Sequence, residues 1–425
     1  MSSTLGILQL VLIILIILYE YKMKSVLIFL WGTLLILFGM PHFLEVLFLS
    51  SGYTIQTLNT ASLFVIIFNL LYVITRLIIS KYKVIELIED EYKDEREGQK
   101  LVQLLFVTFI SSVLMLYISN YVFFGKIIGV SWGEYININR EFGLINPFKI
   151  SLYLFFSTAG VGLIFYKYSK KMYIFVLGII LTYSLTTGNR ITILPLLISS
   201  IYPFLYNKKV KLTSFYYLTI FGMLTVYIVY FLRLIRIYGG FGKMLETKSL
   251  VELNSQVMSM LLSGEGELSL KNAFYYFIVH NNSFPNFLEG HTYLRILLMP
   301  FPTNYTFGLK PPDFTISMGS AYISNFNNNS YSMHPTLYGD VFGNFGIVGL
   351  VTSIIFAIVL VFFNKWITKI KFTNINFYYP VFVLSSTMLV IIGRGSVYNG
   401  VFYFVVGLFI LKILNFITKF KLKRY

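Results

Sequence analysis

Residues 101–124 read LVQLLFVTFISSVLMLYISNYVFF, a run without Asp, Glu, Lys or Arg. A hydrocarbon core about 30 Å thick takes about 20 apolar helical residues to cross. Inside that core only a helix or a closed barrel satisfies its own backbone polar groups. The apolar residues are continuous rather than alternating, which argues against barrel strands and for a helix. Ten further stretches read the same way. The eleven expected spans are 3–19, 25–40, 60–75, 101–124, 150–166, 172–189, 191–207, 212–232, 341–363, 374–393 and 395–411. The fold expected is all-α: a polytopic membrane helical bundle with one large extracytoplasmic loop.

Composition points the same way. Apolar residues make up 56% of the chain and charged residues 12%, with a mean hydropathy of +0.73. A soluble chain of this length would usually divide into two or three domains. Here most of the length goes into spans, so residues 1–425 are expected to form a single transmembrane domain. The first span lacks a basic leader and a small-residue cleavage site, so it reads as a retained helix. The chain has no cysteine, which excludes disulfides and thiolate metal sites.

The net charge of +16 raises the question of nucleic acid, but its placement answers against it. Basic residues gather in short turns: Lys22 and Lys24; Lys167, Lys170 and Lys171; Lys208, Lys209 and Lys211; Lys365, Lys369 and Lys371; and Lys419, Lys421, Lys423 and Arg424. The positive-inside rule places all of them in the cytoplasm. Eleven spans put every cluster on that side, with the N-terminus outside and the C-terminus inside. The mixed-charge loop 81–100 also falls inside and reads as a solvated connector. The opposite side receives loops 41–59 and 125–149 and the large loop 233–340. Amphipathic stretches at 246–263 and 269–280 mark that large loop as folded, and loops this long in compact proteins are usually functional.

Four arginines lie on the outer side, against the positive-inside trend. Arg190 closes Thr187-Gly188-Asn189-Arg190, Arg233 and Arg236 follow the eighth span, and Arg394 sits in Gly393-Arg394-Gly395-Ser396. A guanidinium fork takes phosphate oxygens through two parallel hydrogen bonds. Small residues beside Arg190 and Arg394 would let a phosphate approach the backbone. The structural alternative is snorkelling to lipid headgroups.

A second group closes the large loop: Ser332-Met333-His334-Pro335-Thr336-Leu337-Tyr338-Gly339-Asp340. His334, stiffened by Pro335, is a candidate general base, with Tyr338 and Asp340 placed to orient it. A loop histidine bonded to its neighbours is the alternative. Asp340 reads more naturally as a cap on the following helix. Gly343, Gly346 and Gly349 suggest close helix packing. The carboxylates Glu265, Glu267 and Glu289 are weaker candidates. His280, His291 and Glu289 are too scattered for a metal site. There is no phosphate-binding loop, dinucleotide fingerprint or paired-aspartate nucleotide-sugar motif. No cofactor is expected, and a donor would have to arrive from the lipid phase or the outer side.

The chain resembles the bacterial O-antigen and capsular polysaccharide polymerases, the Wzy-type oligosaccharide repeat-unit polymerases. Topology carries the resemblance over nearly the whole chain: about eleven spans, a large outer loop in the second half and basic inner turns. Locally, Thr187-Gly188-Asn189-Arg190, Leu232-Arg233 with Arg236, and His334–Asp340 with Asn344-Phe345-Gly346 resemble short segments of that family. The resemblance implies metal-independent glycosyl transfer between undecaprenyl-pyrophosphate-linked repeat units at the outer face of the cytoplasmic membrane. It would give Arg190, Arg233, Arg236 and Arg394 the pyrophosphate and His334 the acceptor proton, with Asp340, Glu265, Glu267 and Glu289 as alternative bases. It also implies membrane lipid as a partner, and a chain-length regulator and a flippase of the same pathway. An O-antigen ligase or a lipid-linked oligosaccharide flippase are the competing readings. The charge-free spans weigh against transport, because transporters keep ionisable groups near the bilayer midplane.

The topology has a direct test. Reporter fusions at Lys209 and Lys369 should read cytoplasmic, and one near Asn328 external. An external signal at Lys209 would break the orientation.

Overall fold

The computed structural model describes residues 2–49, 52–81, 95–128, 130, 134–135, 138, 146–206, 220, 224, 227–235, 237–262, 266–281, 291–301, 305–322 and 332–419. The described residues contain helices and no strand. In chain order the helices are α1 (Ser2–Lys22), α2 (Ile28–Leu34), α3 (Met40–Phe48), α4 (Ile55–Lys81), α5 (Glu95–Phe124), α6 (Pro147–Thr158), α7 (Val161–Tyr168), α8 (Lys170–Thr187) and α9 (Leu194–Tyr206). They continue with α10 (Phe241–Thr247), α11 (Leu250–Leu262), α12 (Lys271–Val279), α13 (His291–Leu297), α14 (Phe314–Tyr322), α15 (Thr336–Phe345), α16 (Thr352–Thr373), α17 (Ile375–Gly393) and α18 (Val397–Lys419).

Among the described residues eight helical stretches are long and apolar enough to cross a membrane, and each overlaps one expected span. The protein is an all-α polytopic membrane protein. Of the other three expected spans, 172–189 coincides with α8, 191–207 with the shorter apolar helix Arg190–Tyr206, and 212–232 lies mostly outside the described residues. The charged loop 81–100 also lies largely outside them.

The second span runs further than its charge-free run. A π-helical segment, Leu35–Gly39, joins α2 to α3, so helix continues to Phe48. Much of the expected loop 41–59 is therefore helical. The residues that made it read as a loop are buried with partners. His42 bonds Tyr275 Oη through Nδ1 at 2.5 Å and Ser62 Oγ through Nε2 at 2.7 Å. Glu45 pairs with Lys271 at 3.7 Å. Buried polar groups are tolerated where each finds a partner. Burial pulls the Lys271 ammonium below its ordinary range, and Glu45 opposes that shift.

The chain divides into two compact units: residues 1–88, 264–366 and 388–402 in one, and 89–263, 367–387 and 403–425 in the other. In the first unit, α1 and α4 are held by a buried ion pair, Arg76 Nε to Glu20 Oε1 at 3.0 Å, with Tyr72 also donating to Glu20. Each charged partner lies one residue beyond an expected span. Removing one member of such a pair leaves an uncompensated charge, at a cost of about 3–5 kcal/mol. Phe64, Phe274 and Phe342 meet edge-on with centroids 5.2–5.5 Å apart and tie α4, α12 and α15 together.

In the second unit, Gly160 lets α7 start against α17. A Cβ there would come within 2.4 Å of the Pro380 Cα. Phe155 stacks on Tyr183 at 4.0 Å, and Ser151, beside the Tyr183 hydroxyl, donates to the Ser112 carbonyl. These contacts bind α5, α6 and α8.

The large loop 233–340 is helical wherever it is described outside its connecting turns. The amphipathic stretches 246–263 and 269–280 appear as α11 and α12, and α12 buries Lys271, Ala273, Phe274, Tyr275 and Phe277. The ninth expected span, 341–363, falls within Thr336–Thr373, which is not one continuous α-helix. Gly346 has φ 57° and ψ −141°, outside the right-handed helical region, and ends α15. A 3₁₀ turn, Gly346–Val351, then leads into α16.

Candidate functional site

Helix α15 closes the large loop 233–340, and every residue from Thr336 to Asn344 in it is buried. It opens with an unusual backbone. Thr336 has φ 61°, a left-handed conformation that strains a β-branched residue by about 1–3 kcal/mol. A tertiary bond holds it there: the Thr336 N–H donates to the Arg394 carbonyl at 3.1 Å. Gly395 makes the approach possible. Its φ is +91°, and a Cβ would lie 2.5 Å from the Thr336 nitrogen. The turn carrying Arg394 is thus clasped to the segment carrying His334, two sites 60 residues apart in sequence. His334 itself is half-buried.

Asp340 does not cap a helix, contrary to the sequence reading. The helix starts at Thr336, four residues earlier, so Asp340 lies inside it. Its carboxylate accepts from Thr292 Oγ1 at 3.2 Å and from Asn344 Nδ2 at 3.4 Å. Asn344 also accepts from the Thr292 N–H at 2.9 Å. This buried triad fastens α13 to α15. Tyr338 donates to Asn69 on α4 at 3.0 Å. The hydroxyl of Tyr338 and the carboxylate of Asp340 therefore have partners on α4, α13 and α15. Of the three spaced glycines, Gly343 is a packing position, because a Cβ would lie 2.7 Å from Phe277. Gly349 is another, with Val341 in the way at 2.8 Å, whereas Gly346 has open space around it and serves the turn.

Around this core lies a polar shell of which the sequence offers only His291, set aside there as a metal ligand. Arg295 on α13 donates to the Pro311 carbonyl and lies 4.4 Å over the Tyr398 ring. Lys310 donates to the Phe301 carbonyl at 2.7 Å. Asp313 accepts from Asn399 at 3.0 Å. His291 Nε2 meets the Pro312 carbonyl at 2.6 Å, and burial lowers its pKa. Burial, and secondarily the Asp340 carboxylate, push the Tyr293 phenol well above its ordinary range. One signal was available: residues 291–312 hold Arg295 and Lys310 and no acid.

The other unit holds Arg190 and Arg233. Arg190 begins a 3₁₀ turn whose first N–H groups are met by Asn189, with Asn189 Oδ1 accepting from the Ile191 N–H at 3.1 Å. Gly188, at φ +59°, brings this turn against Ile235, which lies 3.9 Å from where its Cβ would be. Arg233 lies on the same helical segment, 227–235. One of its terminal nitrogens is buried with no hydrogen-bond partner among the described residues. Arg236, Glu265 and Glu289 lie outside the described residues, as does the side chain of Glu267. His280 is exposed, bonded to the Tyr276 carbonyl.

No family model matches the chain, and neither a curated protein nor a solved structure does.

The Arg394–Thr336 clasp can be opened by one methyl group. G395A should destabilise the protein by about 1 kcal/mol or more, since alanine at positive φ is strained even without the clash. Hydrogen exchange at the Thr336 amide should accelerate, while exchange in α1 and α4 stays slow. An unchanged Thr336 amide would mean that Arg394 does not hold this segment.

Proposed function

We propose that this protein polymerises undecaprenyl-pyrophosphate-linked oligosaccharide repeat units at the outer face of a bacterial cytoplasmic membrane, as the Wzy-type polymerases it resembles do. The observation that carries the reading is the clasp between the Arg394 turn and the His334 segment. The bond joins the backbone that carries Arg394, a cation suited to phosphate, to the backbone two residues beyond His334, a group suited to proton transfer. In this reading His334 takes the proton of the acceptor hydroxyl. The freed oxygen attacks the anomeric carbon of the growing chain. The glycosidic C–O bond to pyrophosphate breaks, and the departing pyrophosphate keeps the electron pair. Arg394 stabilises the charge that develops there. Two lipid-linked substrates bring two pyrophosphates. The chain offers two groups of arginines, Arg394 and, close in sequence or structure to one another, Arg190, Arg233 and Arg236. The strained Thr336 fits a functional position, because such strain persists only where the surroundings enforce it. Asp340, Thr292 and Asn344 act as positioning residues, since their hydrogen bonds hold α15 rather than leaving Asp340 as a base. No cofactor enters this scheme.

Purified lipid-linked repeat units provide the assay, read as ladder length against time. R394A should abolish polymer, and R394K should rescue poorly, because lysine supplies charge without the fork. H334Q should slow the ladder about 10²–10⁴-fold, the usual contribution of a general base. A normal ladder from both variants would overturn the reading. In cells, loss of a polymerase leaves single repeat units on the surface. Lipid-linked polymer that stays unattached would instead identify a ligase.

A further inference from the structure

The segment that joins α13 to α14 exposes large apolar side chains in an order that water does not favour. Leu297 and Tyr305 are each 75% exposed and Phe307 is 95% exposed, with Phe301 and Leu309 also exposed. Scattered exposed apolar residues are ordinary, but a contiguous group marks an interaction surface. The described parts of the segment, 297–301 and 305–310, are folded. The Leu309 N–H donates to the Thr306 carbonyl at 2.8 Å, the Phe301 N–H to the Leu298 carbonyl at 3.2 Å, and the Lys310 ammonium to the Phe301 carbonyl at 2.7 Å. Its tip is a tight turn with Phe307 at φ 49° and Gly308 at φ 80°. An aromatic residue thus occupies a left-handed position that glycine would fill more easily, and it presents its ring outward.

Two contacts fix the level of this wedge. Arg295 lies 4.4 Å over the ring of Tyr398, and Asp313 accepts from Asn399. Both partners are in the first turn of α18, a membrane-crossing helix that starts at Val397. The base of the wedge therefore sits where α18 reaches the bilayer surface. Its charge suits that position. From His291 to Pro312 the only charged residues are Arg295 and Lys310, and neither pairs with a carboxylate among the described residues. Lys310 is buried, so the half-buried Arg295 is the cation left near the surface, and a cation beside aromatic and aliphatic side chains matches the interface of a bilayer that holds anionic headgroups.

We propose that Leu297, Phe301, Tyr305, Phe307 and Leu309 form a membrane-dipping wedge. Phe301, Tyr305, Phe307 and Leu309 enter the boundary between headgroups and acyl chains of the bilayer that α18 crosses, with the half-buried Arg295 at the level of its anionic phosphates and the buried Lys310 bracing the wedge through the Phe301 carbonyl. The proposal requires nothing of the reaction. The wedge would steady the α13–α15 assembly at the height at which a lipid-borne substrate presents its headgroup.

The absence of cysteine makes the test clean. A nitroxide is attached to F307C in the full chain, reconstituted in vesicles of phosphatidylcholine and phosphatidylglycerol. Collision with oxygen and with a water-soluble nickel chelate is compared with the same label at K243C, an exposed charged position. The wedge should show raised oxygen and lowered nickel accessibility at residue 307, and the same at Y305C. The label should move to a shallower depth when phosphatidylglycerol is omitted. Nickel collisions as frequent as at residue 243 would overturn the proposal. Exclusion of both probes would also overturn it, because it would mean that protein covers the tip. These vesicles contain no isoprenoid lipid, so burial in them cannot come from a bound carrier tail.

Discussion

The hydrogen bond from the Thr336 N–H to the Arg394 carbonyl ties the end of the large loop to the turn between α17 and α18. It holds a threonine in a left-handed conformation, and that conformation sets where α15 begins. The start of α15 then decides which residues fall inside the helix. With Thr336 first, Asp340 and Asn344 stand one turn apart and share Thr292. Tyr338 reaches Asn69, and Gly343 lies against Phe277 and Phe314. A start at Asp340 would have made that carboxylate a cap on the first N–H groups of the helix. Gly395 is what lets the two backbones meet, so the apparently plain Gly-Arg-Gly turn is a structural joint as well as a charged one.

Three buried ionisable groups of the same unit sit at or near the ends of spanning helices and have partners. Glu20 has Arg76 and Tyr72, Glu45 has Lys271, and His42 has Tyr275 and Ser62. Such pairs give little net stability over an apolar replacement, but losing one member is costly. They fix the alignment of α1, α3, α4 and α12, where an all-leucine surface would leave neighbouring registers close in energy. They also join α12 directly to α3 and, through His42, to α4.

The spans were legible because the membrane imposes a coarse rule: a charge-free run of sufficient length has few other uses. Amphipathic α11 and α12 were legible from periodicity. The role of Asp340 was not, because carboxylates favour helix starts and nothing local announced that Pro335 and Thr336 would start the helix earlier. Nor was the extent of α3, because His42 and Glu45 look like loop residues until their partners Tyr275 and Lys271, more than 220 residues away, are known. The pairing of Arg394 with the His334 segment depends on backbone atoms, which leave no trace in residue type beyond Gly395. Arg295 and Lys310 were visible as lone cations in an acid-free stretch, but only Tyr398 and the Phe301 carbonyl give them a place.

The central claim is that the clasped Arg394–His334 framework meets the pyrophosphate and the acceptor sugar of a lipid-linked repeat unit. The most direct measurement is an experimental density map of the protein with such a unit bound. The account predicts phosphate density within hydrogen-bonding distance of the Arg394 guanidinium and a sugar hydroxyl facing the His334 ring. Pyrophosphate held instead by the basic turn at Lys22 and Lys24, with no ligand at Arg394, would contradict it.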